Sequence, residues 1–145
     1  MKKFLVLSVL CSLIACSSSS ATKEDKPEEQ QPKNVYRNPV IDYSLPDPSV
    51  IEGDDGYYYL YATEDIRNLP IHRSKNLVDW EYVGTAFTDR TRPDFEPNGG
   101  LWAPDINKIG DKYVLYYSMS VWGGELTCGI GCATAGKPEG RLTDH

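Results

Sequence analysis

Two aspartates recur in the same short context and are the residues of this sequence best suited to acid–base chemistry. Asp47 stands in Leu45-Pro46-Asp47, and Asp105 stands in Ala103-Pro104-Asp105. Each motif leads into a tyrosine-rich run, so the aspartates occupy equivalent positions in two copies of one unit. Two carboxylates delivered to one place by successive repeats suit acid–base catalysis better than surface solvation. Asp47 and Asp105 are therefore the candidate catalytic pair.

The elements that must position this pair are β-strands. From Asn34 onward, short aromatic and β-branched runs alternate with Gly, Asp, Asn and Pro, without helical periodicity. The predicted strands are 49–52, 57–63, 70–74, 80–85, 106–109, 113–118 and 128–135. They form one four-stranded antiparallel unit and most of a second, repeating at roughly 57 residues, which favours a β-propeller over an isolated sandwich. Because the first strand of each blade lines the central channel, both aspartates are expected near one mouth of it.

The N-terminus has the features of an export signal. Lys2 and Lys3 precede an apolar run that is too short to span a bilayer as a permanent helix. The following Leu13-Ile14-Ala15-Cys16 resembles the lipobox of bacterial lipoproteins, in which the cysteine is lipidated and becomes the new N-terminus. Residues 1–15 are predicted to be a lipoprotein signal peptide and Cys16 the lipidation site. An ordinary cleaved signal followed by a chance cysteine is the alternative.

The segment behind the leader is polar. Four serines are followed by Lys, Glu, Asp, Gln and Pro with almost nothing apolar, so residues 16–37 are predicted to be the lipidated cysteine and a disordered tether. Acyl chains on Cys16 would hold the protein on a membrane without a transmembrane helix. Ser17 after the cysteine favours, by resemblance, an exported outer-membrane lipoprotein on the cell surface or the periplasmic face.

Charge and cysteine content limit the partners. The formal net charge is −6, and the loss of Lys2 and Lys3 with the leader makes it more negative. No basic patch is interleaved with aromatic residues, so nucleic acid is not expected as a partner, whereas a neutral sugar suits an acidic surface. The remaining Cys128 and Cys132 are expected to be small buried residues of one strand.

Three motifs, taken together and in order, resemble glycoside hydrolase family 43, the inverting five-bladed propellers that cleave arabinose- and xylose-containing polysaccharides. They are DPSVI at 47–51, RSKNLVDW at 73–80 and LWAPDI at 101–106. Two later segments, YYSMSVWG at 116–123 and IGCAT at 130–134, are similar to those of arabinan-cleaving members. The resemblance covers residues 38–145 and implies an all-β, five-bladed β-propeller of which this chain holds blade one and most of blade two.

The resemblance also implies a mechanism. Asp47 matches the general base that activates water, and Asp105 matches the carboxylate that orients the general acid and raises its pKa. The acid itself is a glutamate of the third blade in the family, beyond His145, so this chain alone is expected to be inactive. Trp102 and Trp122 are the candidate sugar-stacking residues. The family often holds calcium through a histidine of a later blade, and no metal ligand is assigned within this chain.

The expected activity is inverting hydrolysis of O-glycosidic bonds in arabinose-containing plant polysaccharides, at α-L-arabinofuranosyl linkages. A β-xylosidase is the alternative within the same chemistry. Sucrose- and fructan-cleaving propellers carry an aspartate nucleophile in an Asn-Asp-Pro-Asn-like context, which the sequence around Asp47 lacks. A non-catalytic glycan-binding lipoprotein on the cell surface is the alternative from another class, and the leader fits it equally well.

Overall fold

The residues described by the computed structural model, 35–124 and 127–145, fold into two four-stranded antiparallel sheets. In the first sheet, here called blade one, the strands are β1 (Ser49–Glu52), β2 (Tyr58–Tyr61), β3 (Pro70–Ser74) and β4 (Glu81–Thr85). In the second, blade two, they are β5 (Gly100–Ile109), β6 (Lys112–Ser120), β7 (Cys128–Ala135) and β8 (Thr143–Asp144). Each sheet is a meander in which strands adjacent in sequence pair.

Short polar turns set the register of the first hairpin in each blade. The Gly53 N–H donates to the Tyr57 carbonyl at 2.7 Å, and the Asp55 carboxylate accepts from the Tyr59 hydroxyl at 2.7 Å. Gly56 has a φ of 75° and Gly110, between β5 and β6, has a φ of 64°, a conformation that glycine adopts without steric cost. The Asp-Asp-Gly and Gly-Asp turns expected from the sequence are therefore confirmed.

The core lies between the two blades and is rich in tyrosine. Alternate residues of β2 and β6, including Tyr59, Tyr61, Leu115 and Tyr117, are buried with almost no exposed surface. The three tyrosine hydroxyls all donate hydrogen bonds, as buried phenols require, and Tyr59 and Tyr117 donate to aspartate carboxylates. Tyr61 donates to the Pro138 carbonyl of blade two, so a blade-one side chain is fixed to the connection between β7 and β8.

Strand β5 differs from its predicted extent. It begins at Gly100 rather than at residue 106, and its register with β6 shifts between Trp102 and Asp105. Pro104, which donates no backbone hydrogen bond, resembles a strand break in the sequence, but a bulge accommodates it and pairing resumes on either side. The Pro-Asp motifs consequently differ locally, because Asp47 precedes β1 whereas Asp105 lies inside β5.

The expectation that Cys128 and Cys132 are buried is wrong. Cys128 is exposed and Cys132 half-buried, because both side chains lie on the face of β7 that points away from blade one. Ile130, on the same face, is 74% exposed. The outer face of blade one similarly exposes Val50 and Tyr82. No helix within the described ranges is long and apolar enough to cross a bilayer.

Candidate active site

Asp47 is held in place by Thr63, which lies two residues beyond the end of β2. Asp47 occupies an exposed position just before β1, with a φ of 50°. The Thr63 hydroxyl donates to Asp47 Oδ2 at 2.7 Å, and the Thr63 N–H donates to the Pro46 carbonyl at 2.9 Å. Within residues 35–124 and 127–145, Asp47 Oδ1 has no hydrogen-bond partner. One carboxylate oxygen is therefore held by the protein while the other faces the surface.

Asp105 is carried by β5 immediately after the bulge. Its side chain is exposed, and Asn107 Nδ2 donates to Asp105 Oδ2 at 3.0 Å. Ala103, two residues earlier, has a φ of 41°, which is uncommon for a residue with a Cβ. Backbone in such sparsely populated conformations concentrates at functional sites, where surrounding contacts hold it in place.

Two hydrogen bonds bring the segments of the aspartates together. The Ser49 hydroxyl oxygen, two residues after Asp47, accepts from the Ile106 N–H at 3.1 Å. The Thr63 hydroxyl oxygen accepts from the Ala103 N–H at 2.8 Å. Strands β1 and β5 are therefore neighbours across the two blades, with Asp47 just before β1 and Asp105 within β5.

The candidate sugar-stacking residues form a single platform. The Trp102 and Trp122 rings stack with centroids 5.2 Å apart and planes inclined by 24°. Trp102 Nε1 donates to the Ser120 carbonyl at 3.2 Å, while Trp122 is 84% exposed. A Cβ at Gly100 would lie 2.8 Å from Trp102 Nε1, so the indole packs over this glycine. Trp122 therefore presents a broad apolar ring to solvent close to the strand of Asp105.

A buried ion pair beside the site was not foreseen from the sequence. Glu64 and Arg92 are bound through both guanidinium nitrogens, with side chains only 12% and 10% exposed. Glu64 also accepts from the N–H groups of Asn68 and Leu101 at 2.8 Å each. Burial opposes ionisation, but Arg92 and these two donors together hold the pKa of the Glu64 carboxyl below its usual value. The partners are far apart in sequence, so no local pattern indicates them.

The described residues do not form a metal site. Across 35–124 and 127–145, no three His, Cys, Asp or Glu side chains are grouped as a metal ion requires. The calcium implied by the resemblance would be held through a histidine of a later blade, so it stays a prediction for the full-length protein. Cys16, the predicted lipidation site, lies outside the described residues, so its role stays a prediction.

Two four-stranded antiparallel meanders, packed face to face with their first strands adjacent, are successive blades of a β-propeller. Residues 36–145 match the family described as glycosyl hydrolases family 43. The chain belongs to this family.

Relatives and solved structures agree with this assignment. The chain is 36% identical over 118 residues to the probable arabinan endo-1,5-α-L-arabinosidase C of Aspergillus flavus, covering 77% of this chain and 36% of that protein. It is 32% identical over 120 residues to a non-reducing end α-L-arabinofuranosidase of Bacteroides ovatus, covering 77% and 22%. The structure of the Cellvibrio cellulosa α-L-arabinanase complexed with arabinohexaose superposes with a TM-score of 0.60 at 30% identity, covering 70% and 34%. The chain thus spans about a third or less of each of these proteins.

Proposed function

We propose that the complete protein hydrolyses α-L-arabinofuranosyl linkages of arabinose-containing plant polysaccharides with inversion at the anomeric carbon. The observation that carries this proposal is a pair of exposed carboxylates at the adjacent first strands of a family 43 propeller, Asp47 just before β1 and Asp105 within β5. The names of the relatives, arabinan endo-1,5-α-L-arabinosidase and α-L-arabinofuranosidase, support the substrate class.

Asp47 acts as the general base in this proposal. Thr63 donates to Oδ2, which leaves Oδ1 to accept a proton from the attacking water. The water attacks the anomeric carbon from the face opposite the leaving oxygen, and that oxygen takes a proton from the general acid. Inverting hydrolysis needs the two carboxyl groups about 6.5–9.5 Å apart, so that the water fits between base and sugar.

Asp105 orients the general acid, which we assign to a glutamate on a further blade. Asn107 Nδ2 occupies Asp105 Oδ2, so Asp105 Oδ1 is available to a neighbouring group. Glu64, which follows Thr63 in sequence, is not available as a proton donor, because Arg92 and two backbone N–H groups engage both its oxygens. Since the resemblance places the general acid on a later blade, we expect no hydrolysis from blades one and two alone.

The Trp102–Trp122 platform supplies the apolar face for the sugar. A furanose ring offers C–H groups to an aromatic face, and the exposed ring of Trp122 lies where such a ring can stack. This contact binds substrate and transition state alike, so it acts on affinity more than on turnover.

A substrate panel and the stereochemistry of the product test the proposal. The full-length protein is incubated with linear arabinan, arabino-oligosaccharides and xylo-oligosaccharides, and the first-formed anomer is observed by proton NMR. Release of arabinose or arabino-oligosaccharides with inversion is expected. Faster release of xylose would favour a β-xylosidase, binding without hydrolysis would favour a non-catalytic glycan-binding protein, and retention would refute the single-displacement mechanism.

For the leader, we propose export and anchoring through lipid on Cys16. The support is the order of its parts: two lysines, an apolar run, Leu13-Ile14-Ala15-Cys16 and a polar segment. Such a protein would stand on the outer membrane, on the cell surface or the periplasmic face. Labelled palmitate should be incorporated by the wild-type protein and not by Cys16→Ser, and equal labelling of both would refute the anchor.

A further inference from the structure

Thr63 joins the two blades at the candidate site through a single oxygen atom. It follows β2 and is buried, with 3% of its surface exposed. Its hydroxyl donates to Asp47 Oδ2 at 2.7 Å and accepts from the Ala103 N–H at 2.8 Å. A hydroxyl has one proton to donate and lone pairs to accept, so the same atom serves both blades.

Both residues that Thr63 contacts have an unfavourable backbone conformation. Asp47 and Ala103 both have a positive φ, of 50° and 41°, a conformation that costs free energy for residues with a Cβ. Without the hydroxyl, Asp47 loses the only hydrogen bond that its carboxylate makes within the described residues. The Ala103 N–H at the bulge would also lose its acceptor.

The neighbouring Glu64 forms a second connection between the end of blade one's β2 and strand β5 of blade two. The Glu64 N–H donates to the Leu101 carbonyl at 3.2 Å, and Glu64 Oε1 accepts from the Leu101 N–H at 2.8 Å. Thr63 and Glu64 therefore hold β5 on either side of Trp102, at Leu101 and at Ala103. Arg92 pairs with the Glu64 carboxylate and thereby holds the residue that follows Thr63 in place.

We propose that Thr63 is a positioning residue for the reaction, which sets the orientation of the Asp47 carboxylate relative to the strand that carries Asp105. This inference rests on the proposed function, because it assumes that Asp47 is the general base. A misplaced base lowers the rate of the chemical step while substrate binding through the tryptophan platform is retained.

The test measures kcat and KM on linear arabinan in the full-length protein. Thr63→Val is expected to lower kcat by about 10–100-fold with KM within about 2-fold of wild type. Thr63→Ser, which keeps the hydroxyl, should restore kcat to within about 3-fold of wild type. Thr85→Val is the matched control, since it removes another threonine hydroxyl, one that donates to the Phe87 carbonyl at 2.6 Å, and should leave kcat unchanged.

A double variant separates positioning from stability. In the Asp47→Asn background, Thr63→Val should cause no further loss of kcat, because a residue acting through Asp47 has nothing left to position. Additive losses, a Thr63→Ser variant as slow as Thr63→Val, or a Thr63→Val variant with normal kcat would overturn the proposal. If Thr63→Val does not fold, Thr63→Cys, with a similar size and a weak S–H donor, takes its place.

The same variants distinguish a failure of the role of Thr63 from a failure of the proposed function. An inactive Asp47→Asn together with a fully active Thr63→Val would refute the role of Thr63 alone. A fully active Asp47→Asn would refute the proposed function itself.

Discussion

Removal of Arg92 should destabilise the protein strongly, because it leaves the Glu64 carboxylate buried without its counter-ion. Both side chains are about nine-tenths buried, and Arg92 also donates at 3.0 Å to the Asn68 side chain and to the Gly99 carbonyl. Breaking a buried ion pair by deleting one partner costs about 3–5 kcal/mol. We expect Arg92→Met in the full-length protein to lower the free energy of unfolding by about 3 kcal/mol, the lower end, because each side chain keeps some solvent contact.

The assay is urea unfolding at pH 7, followed by tryptophan fluorescence. Glu64→Gln/Arg92→Met should be more stable than Arg92→Met alone, because the double variant no longer buries an unpaired charge. Arg67→Met is the matched control, since the Arg67–Asp89 pair has side chains 64% and 76% exposed and should show no resolvable change. An Arg92→Met variant as stable as wild type, or a double variant no more stable than Arg92→Met, would show that Glu64 and Arg92 do not form a stabilising buried ion pair.

The pH dependence gives the same prediction an independent check. The pKa of Glu64 is lower in the folded protein than its ordinary 4.5. Its stabilising contribution is therefore complete above that pH and is lost as the pH falls through the folded-state value. The stability difference between wild type and Arg92→Met should shrink under acidic conditions, where Glu64 becomes protonated, and a difference that grows with acid would contradict this explanation.

Three further predictions follow from the platform, a buried histidine and the open faces. Trp122→Ala should raise KM for arabinan by about 5–10-fold with kcat nearly unchanged. Tyr82→Ala, an exposed aromatic control, should leave KM unchanged, and equal effects of the two variants would refute a role of Trp122 in sugar binding. His72 is fully buried against Tyr43, and this burial holds its pKa below 6.5. The contribution of neutral His72 to the free energy of unfolding should therefore be lost as the pH falls below about 6.5 in wild type, and His72→Phe should lack this loss. Identical pH profiles of the two proteins in urea unfolding would refute this. Residues 34–145 expressed alone should bind a hydrophobic dye through the apolar outer faces of both blades, and a sharp cooperative melt without dye binding would contradict this.

The sequence predicts those parts of the fold that depend on local pattern. The bounds of β1, β3 and β7 are as expected, because runs of strand-forming residues and the turn residues that flank them are both local signals. The repeated motif also singles out the aspartate pair, whose catalytic role stays a prediction. Strand β5 could not be traced from its start at Gly100, since Pro104 looks like an end until a partner strand is known to accommodate the bulge.

The supports of the candidate site depend on contacts between distant residues, which a single sequence does not display. Thr63 looks like an ordinary strand residue in the sequence, and the contacts behind its proposed role are visible only once Asp47 and Ala103 meet its hydroxyl. Similarly, Glu64 and Arg92 look like solvated charges of a turn and a loop until the fold buries them together. The exposure of Cys128 was also missed, because alternation tells which residues share a face but not which face is covered.

The most direct test of the central claim is the hydrolysis rate of Asp47→Asn in the full-length protein. The substitution keeps the shape of the side chain and the hydrogen bond from Thr63 but removes the basic oxygen that takes the proton from water. We expect kcat on linear arabinan to fall by about three orders of magnitude, as the loss of a general base allows, while calorimetry shows unchanged arabino-oligosaccharide affinity. An unchanged hydrolysis rate would contradict the assignment of Asp47 as the base.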